Sequence, residues 1–165
     1  MNFIIEYVNY YELGKLNLVL DQLAFLRNVY PHFVQWFQQK VVPGLKLKQR
    51  SIYIVTPAND SNCIAGVLIL KKEVTEKKIC TLCILPQYQK QGLGTILFQR
   101  AIQELQTPHP LITISSLYMS EYDSLLKKFN FSLWAKYQDY YKKGSVEYSY
   151  NAPIEYAEAG FVVNG

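Results

Sequence analysis

The chain is 165 residues long, half of it apolar and 18% charged, and 17 Lys plus Arg against 13 Asp plus Glu give it a net charge of +4. That length holds one domain with a full core, since domains commonly run to about 100–150 residues, and leaves no room for a second catalytic domain. The composition excludes a disordered chain, no apolar run approaches the ~18 residues of a membrane span, and the modest positive charge suits an anionic ligand without demanding nucleic acid.

Residues 1–6 lack the basic stretch, apolar stretch and small-residue cleavage site of a secretory signal, so a soluble, cytoplasmic protein is expected. The three cysteines are an odd number, and a regular strand sets Cys80 and Cys83 on opposite faces, so no disulfide framework is expected. His32 and His109 add no ligand pair at zinc spacing, and no metal site is expected either.

Taken along the chain, residues 2–8 carry Phe3, Ile4, Ile5, Tyr7 and Val8, the content of a first strand. From 11 to 29, Leu13, Leu16, Leu20, Leu23, Ala24 and Leu26 recur at three- and four-residue steps, which predicts an amphipathic helix closed by Pro31. Phe33, Val34, Phe37 and Val41 continue helical spacing in a second segment that Pro43-Gly44 is expected to end. Residues 51–56 and 63–74 read as an antiparallel pair of strands around the turn formers of 57–62. Next come a strand over 77–85, a helix over 92–105 and, after Pro108-His109-Pro110, a strand over 111–115. A helix over 120–129 and strands over 131–137 and 146–151 complete the pattern. This order predicts an α+β (mixed α/β) domain over 1–151 built around one sheet, with 152–165 as a C-terminal tail, partly disordered at its extreme end.

The chemistry concentrates between the strand ending at Leu85-Pro86 and the helix opening near Gly92. The run Gln89-Lys90-Gln91-Gly92-Leu93-Gly94-Thr95 brings unpaired helix-start N–H groups, the positive end of the helix dipole and the Lys90 ammonium to one place. Glycines at 92 and 94 let main chain approach a diphosphate. The run is no P-loop, having no Gly-Lys-Ser/Thr, and it falls short of the three glycines of a dinucleotide fingerprint.

The stretch Ile84-Leu85-Pro86-Gln87-Tyr88-Gln89-Lys90-Gln91-Gly92-Leu93-Gly94 resembles the acetyl-CoA motif of the GNAT superfamily of N-acetyltransferases, in which Gln or Arg is followed after two residues by Gly, any residue, and Gly or Ala. The order of elements over roughly residues 2–151 resembles that family too. The resemblance implies a central twisted, mostly antiparallel sheet of about 6–7 strands flanked by about 4 helices, with the fourth and fifth strands splayed to admit a thioester. It implies main-chain contacts from Cys83, Ile84 and Leu85 to the pantetheine arm of acetyl-CoA, and a pyrophosphate held by Gln89, Lys90, Gln91, Gly92, Leu93, Gly94 and Thr95. It also implies dimers, for which the apolar strand 146–151 is the expected pairing edge.

Acetyl transfer to an amine requires a neutral amine, a donor to the developing oxyanion and a proton for the leaving thiolate. Many GNAT enzymes place the proton donor in a Tyr-x-x-x-Gly-Phe motif on the helix after the fifth strand, but the matching run here is Leu126-Lys127-Lys128-Phe129-Asn130-Phe131. Tyr122, one helical turn earlier on the same face, is the expected substitute, with Tyr118 and Ser116 near the same strand end. The family's glutamate on the fourth strand has no counterpart in residues 77–85, which leaves Glu73 as the candidate base, with Glu76 beside it. Tyr30, His32, Trp36 and Arg50 are the candidates to line the acceptor site.

The function so implied is transfer of an acetyl group from acetyl-CoA to a primary amine of a small molecule, peptide or protein. Two rivals stand beside it: a non-catalytic acyl-CoA-binding module, favoured by the lack of an obvious acid and base, and a toxin-like acetyltransferase of aminoacyl-tRNA, favoured by the positive charge.

Overall fold

The computed structural model of the protein describes residues 1–154. Its first strand, β1 (Phe3–Val8), leads into α1 (Leu13–Leu23), which tightens into a 3-10 turn over Ala24–Asn28. A second helical rod follows: α2 (Phe33–Trp36), a π turn over Phe37–Val41 and α3 (Val42–Lys46). Then come β2 (Arg50–Pro57), β3 (Gly66–Lys72), β4 (Lys77–Ile84), a 3-10 turn at Pro86–Tyr88, α4 (Leu93–Leu105) and β5 (Leu111–Ser115). The chain finishes with α5 (Met119–Lys128), β6 (Leu133–Gln138) and β7 (Val146–Tyr150).

All seven strands join one sheet in the order β1-β2-β3-β4-β5-β7-β6, and every pairing is antiparallel except β4 with β5. With α2 to α3 taken as one rod, four helices flank the sheet, as the sequence predicts. On one face Leu16, Val19, Leu23, Phe33, Trp36 and Phe37 pack on Ile52, Ile54 and Ile69. On the other, Leu97, Phe98, Ala101, Leu105 and Leu126 pack on Val55, Leu68, Leu70, Ile112 and Ile114.

Four expectations are corrected. The helix predicted over 11–29 leaves α geometry after Leu23, because docking Leu26, Val29 and Tyr30 on the sheet outweighs continued helical spacing. Pro43-Gly44 does not end the rod, which runs on to Lys46. Pro43 instead sits in the first turn of α3, just after the π turn, where a proline costs little hydrogen bonding. Cys80 and Cys83 lie on one face rather than two, since the β3 to β4 register passes from Ile69↔Thr81 to Leu70↔Ile79 and leaves Cys80 as the extra residue of a bulge. Both thiols are free, as is that of Cys63. Finally, β7 is paired on both sides and offers no edge to a second chain; the sheet edges are β1 and β6.

Residues 155–165, most of the expected tail, lie outside the described residues. Among those described, no helix is long and apolar enough to cross a membrane, and no group of three or more His, Cys, Asp or Glu side chains is placed to hold a metal ion.

Candidate active site

Strands β4 and β5 pair at Lys78↔Leu111 and Ile79↔Ile112 and then part. Beyond that point their facing backbone groups have no ladder partner, and the gap widens into a cavity of about 310 Å³ walled by residues 79–84 of β4 and 112–115 of β5. Leu26 and Tyr30 close one side, and Tyr118 and Tyr122 the other.

A second cavity, of about 420 Å³, opens over the start of α4 and is lined by Gln89, Lys90, Gly92, Leu93, Gly94 and Thr95. No side chain caps that helix, so its first N–H groups carry the partial positive charge of an uncapped N-terminus. Gly92 is the N-cap in the left-handed region, at φ +81°, with open space where a Cβ would stand. Gly94 serves another purpose: a Cβ there meets Leu125 Cδ1 at 2.9 Å, so its missing side chain makes room for α5 as well as for a ligand. Gln89 is fixed by its own main chain, Nε2 donating to the Ile84 carbonyl at 3.1 Å.

The two cavities share Leu82, Ile84, Gln89, Glu121 and Tyr122. Tyr122, from α5, donates its hydroxyl to the Leu82 carbonyl at that junction. Burial, before the nearby Cys83, Glu121 and Tyr118, pushes its phenol well above the usual tyrosine range. Such a group stays protonated and able to donate.

A family model described as the acetyltransferase (GNAT) family matches residues 17–117, more than half of the chain and all of the β4-loop-α4-β5 unit. The chain belongs to the GNAT acetyltransferase family. No curated protein matches it in sequence. Among solved structures it is similar to Arabidopsis thaliana NAA60 in complex with acetyl-CoA, at 13% identity over 90% of this chain and 97% of that one, with a TM-score of 0.64. It is also similar to the ribosomal-protein-S18-alanine N-acetyltransferase of Escherichia coli, at 14% identity over 97% and 99% of the two chains and a TM-score of 0.61. A Bacillus subtilis acetyltransferase in complex with CoA matches at 17% identity over 90% and 97%, with a TM-score of 0.57. These likenesses show a common fold, and GNAT enzymes use acetyl-CoA as donor.

Against the GNAT pattern, the position of the usual tyrosine holds Leu126, which is 2% exposed in the core beneath α4. Tyr122, one turn earlier, is the α5 tyrosine that reaches the slot. Of the other predicted residues, Cys83 and Ile84 line the slot, and burial pushes the Cys83 thiol up to about 12. Leu85 and Leu93 are buried, and Leu93 packs in the core while bordering the second cavity. Gln91 is exposed and lines neither cavity, while Thr95 Oγ1 accepts from Lys128 Nζ at 3.3 Å.

The acceptor candidates separate. Tyr30 lines the slot, whereas His32 is exposed, its Nδ1 3.2 Å from Gln35 Oε1. Trp36 is a core residue, and Arg50 stacks over it at 5.8 Å while donating to Cys80 Sγ at 3.2 Å. Glu73 is not brought to the slot: it lies in the turn between β3 and β4, 3.8 Å from Lys71, at the far end of β4. Glu76 joins the same lysine at 3.0 Å.

One acidic residue was missed. Glu147, on β7 opposite Ser115 of β5, is 2% exposed and accepts from the Tyr30 hydroxyl at 3.1 Å. Burial pushes its carboxyl up to about 7, against the pull of Tyr30, Lys78 and Thr113. The alternation Val-Glu-Tyr-Ser-Tyr of β7 marked Glu147 and Ser149 as the odd face, but ordinary patterning assigns such a polar face to water. Here it is the buried one.

Proposed function

We propose that this GNAT acetyltransferase moves the acetyl group of acetyl-CoA to a primary amine of a small molecule or of a peptide or protein. The observation that carries the reading is the continuity of two cavities: the slot between β4 and β5 opens directly onto the uncapped start of α4, with Tyr122 at the junction. A long ligand with an anionic middle and a reactive end matches that shape and charge.

In this reading Gln89, Lys90 and the main chain of Gly92–Thr95 hold the pyrophosphate, and the parted edge of β4 at Cys83–Leu85 offers main-chain partners to the pantetheine arm. Acetyl-CoA, when bound, supplies the activated thioester. Tyr122, kept protonated by burial, donates to the departing sulfur. Tyr30 and the walls of the slot exclude water and orient the acceptor, and holding two reactants in line supplies several kcal/mol. A protonated tyrosine in the slot favours turnover over a module that only binds. The Escherichia coli neighbour is a ribosomal-protein-S18-alanine N-acetyltransferase, which supports a protein amine as one acceptor class. The free thiols at 63, 80 and 83 suit a reducing compartment, and action in the cytoplasm belongs to the same reading.

Thermal melting with acetyl-CoA and desulfo-CoA, followed by thiol release over a panel of amines, tests this. Both cofactors raise the melting temperature, by a stabilisation of about 2.7 kcal/mol at a hundredfold excess over the dissociation constant, and at least one amine releases thiol. A melting temperature unmoved at saturating acetyl-CoA defeats the proposal.

A further inference from the structure

Behind the slot, on the face of the sheet under α1 and the helical rod, lies a polar cluster. Glu147 from β7 meets Tyr30 from the connection into α2, whose hydroxyl donates to its two carboxyl oxygens at 3.1 and 3.5 Å. Thr113 from β5 hydrogen-bonds the same carboxyl. Lys78 from β4, buried and with its ammonium pushed toward neutrality chiefly by that burial, faces the carboxyl as a positive neighbour. Tyr140 and Tyr141, from the loop between β6 and β7, close the cluster, and Tyr141 meets Tyr30 edge to face at 5.1 Å. Arg50 from β2 lies farther along the same face, on Cys80. Tyr30 and Thr113 also line the slot, so their hydroxyls join the cavity to a carboxyl that does not reach it directly.

Resting on the acetyl-transfer reading above, we infer that Tyr30 and Glu147 act as a pair that takes the proton from the acceptor amine, Tyr30 touching the amine and Glu147 acting through it. The acceptor ammonium gives a proton to the Tyr30 oxygen as the Tyr30 proton passes to the Glu147 carboxylate, leaving a neutral amine, a neutral tyrosine and a carboxylic acid. The amine lone pair forms the C–N bond at the thioester carbonyl carbon, and the C–S bond breaks with its electron pair on sulfur. Tyr122 gives its proton to that sulfur and recovers the second amine proton. Glu147 returns its own to water, so one proton is released per acetyl group transferred. A carboxyl titrating near neutrality suits this exchange, because a base works best with its pKa close to the working pH. The pair fills the vacancy left on β4, where no acid stands.

Two measurements test it, the first without cofactor or turnover. A carbon-13 NMR titration of the Glu147 carboxyl is expected to show a midpoint near 7, moving upward in Tyr30→Phe as the hydroxyl that stabilises the carboxylate is lost. A midpoint in the ordinary carboxylate range, or one indifferent to Tyr30→Phe, overturns the pair. The second compares phenethylamine, a protonated amine with an apolar arm suited to Phe25 and Ile114, with hydroxylamine, which is already neutral near neutral pH. Glu147→Gln is expected to lower kcat/KM for phenethylamine by about 100-fold and to erase the rising limb of its pH profile, with hydroxylamine far less affected. Equal losses for both nucleophiles mean a structural role and overturn the pairing alone. No transfer to either by wild type that binds acetyl-CoA overturns the transfer reading, and the pairing with it.

Discussion

The Tyr122 hydroxyl and the Leu82 carbonyl hydrogen-bond across the mouth of the slot, tying α5 to β4 where the two cavities meet. Removing the oxygen leaves the ring in place and deletes the proton together with the bond to Leu82. Tyr122→Phe is therefore expected to lower kcat by roughly 100-fold while acetyl-CoA affinity holds, as read by thiol release beside calorimetry. An unchanged kcat assigns the proton to another group, with Tyr118 the next candidate on the slot.

Gly92 offers a cleaner separation of binding from folding. Its φ of +81° is strained for any L side chain although no atom stands within 4 Å of a Cβ. Gly92→Ala is expected to cost about 1–2 kcal/mol of stability in urea unfolding while retaining some acetyl-CoA binding. Gly92→Glu adds a carboxylate at the anion site and is expected to lose the cofactor-induced rise in melting temperature altogether. A full rise in the Glu variant means that the pyrophosphate lies elsewhere.

Leu126 occupies the place of the family's tyrosine yet packs in the core with Phe98, Leu97 and Ile114. Leu126→Tyr is expected to destabilise the fold by about 1–3 kcal/mol through overpacking, and not to rescue Tyr122→Phe. Rescue in the double variant places position 126 on the slot after all.

Much of this site is legible in the sequence because local rules wrote it. The helix start at Gly92 follows from a glycine that accepts positive φ after an apolar strand, and β5 falls on the predicted 111–115. Tyr122 is found by counting one turn back from Leu126. What the sequence conceals arises from contacts distant along the chain. The inward face of β7 carries Glu147 because Tyr30, 117 residues away, supplies its hydrogen bond. The bulge at Cys80 leaves no mark on the alternation of Ile79 to Leu82, and Glu73 looks catalytic only until the hairpin geometry delivers it to Lys71.

Glu147 also leaves a signature in stability. Its folded pKa of about 7 stands above the ordinary glutamate value of 4.5, so between these values the folded state holds the extra proton and stability falls as pH rises. The ionisation penalty is absent below about 4.5 and applies in full, at roughly 3 kcal/mol, above about 7. Relative to wild type, Glu147→Gln is thus expected to gain stability between pH ~5 and pH ~8 in urea titrations. A difference flat across that interval contradicts the raised pKa.

The position of β7 between β5 and β6 has a further consequence, for the order in which the molecule becomes whole. After β1, each strand emerges from synthesis to a neighbour already made, except β6, which has no partner but β7. Until residues 146–150 arrive, β6 waits unpaired, β5 keeps an open edge, and Tyr30 faces no carboxylate. The last strand thus completes the sheet and installs the site's only buried acid among the described residues in a single step. A nascent chain cut short before it carries β4, the glycine loop and α4, but neither Glu147 nor a partner for β6.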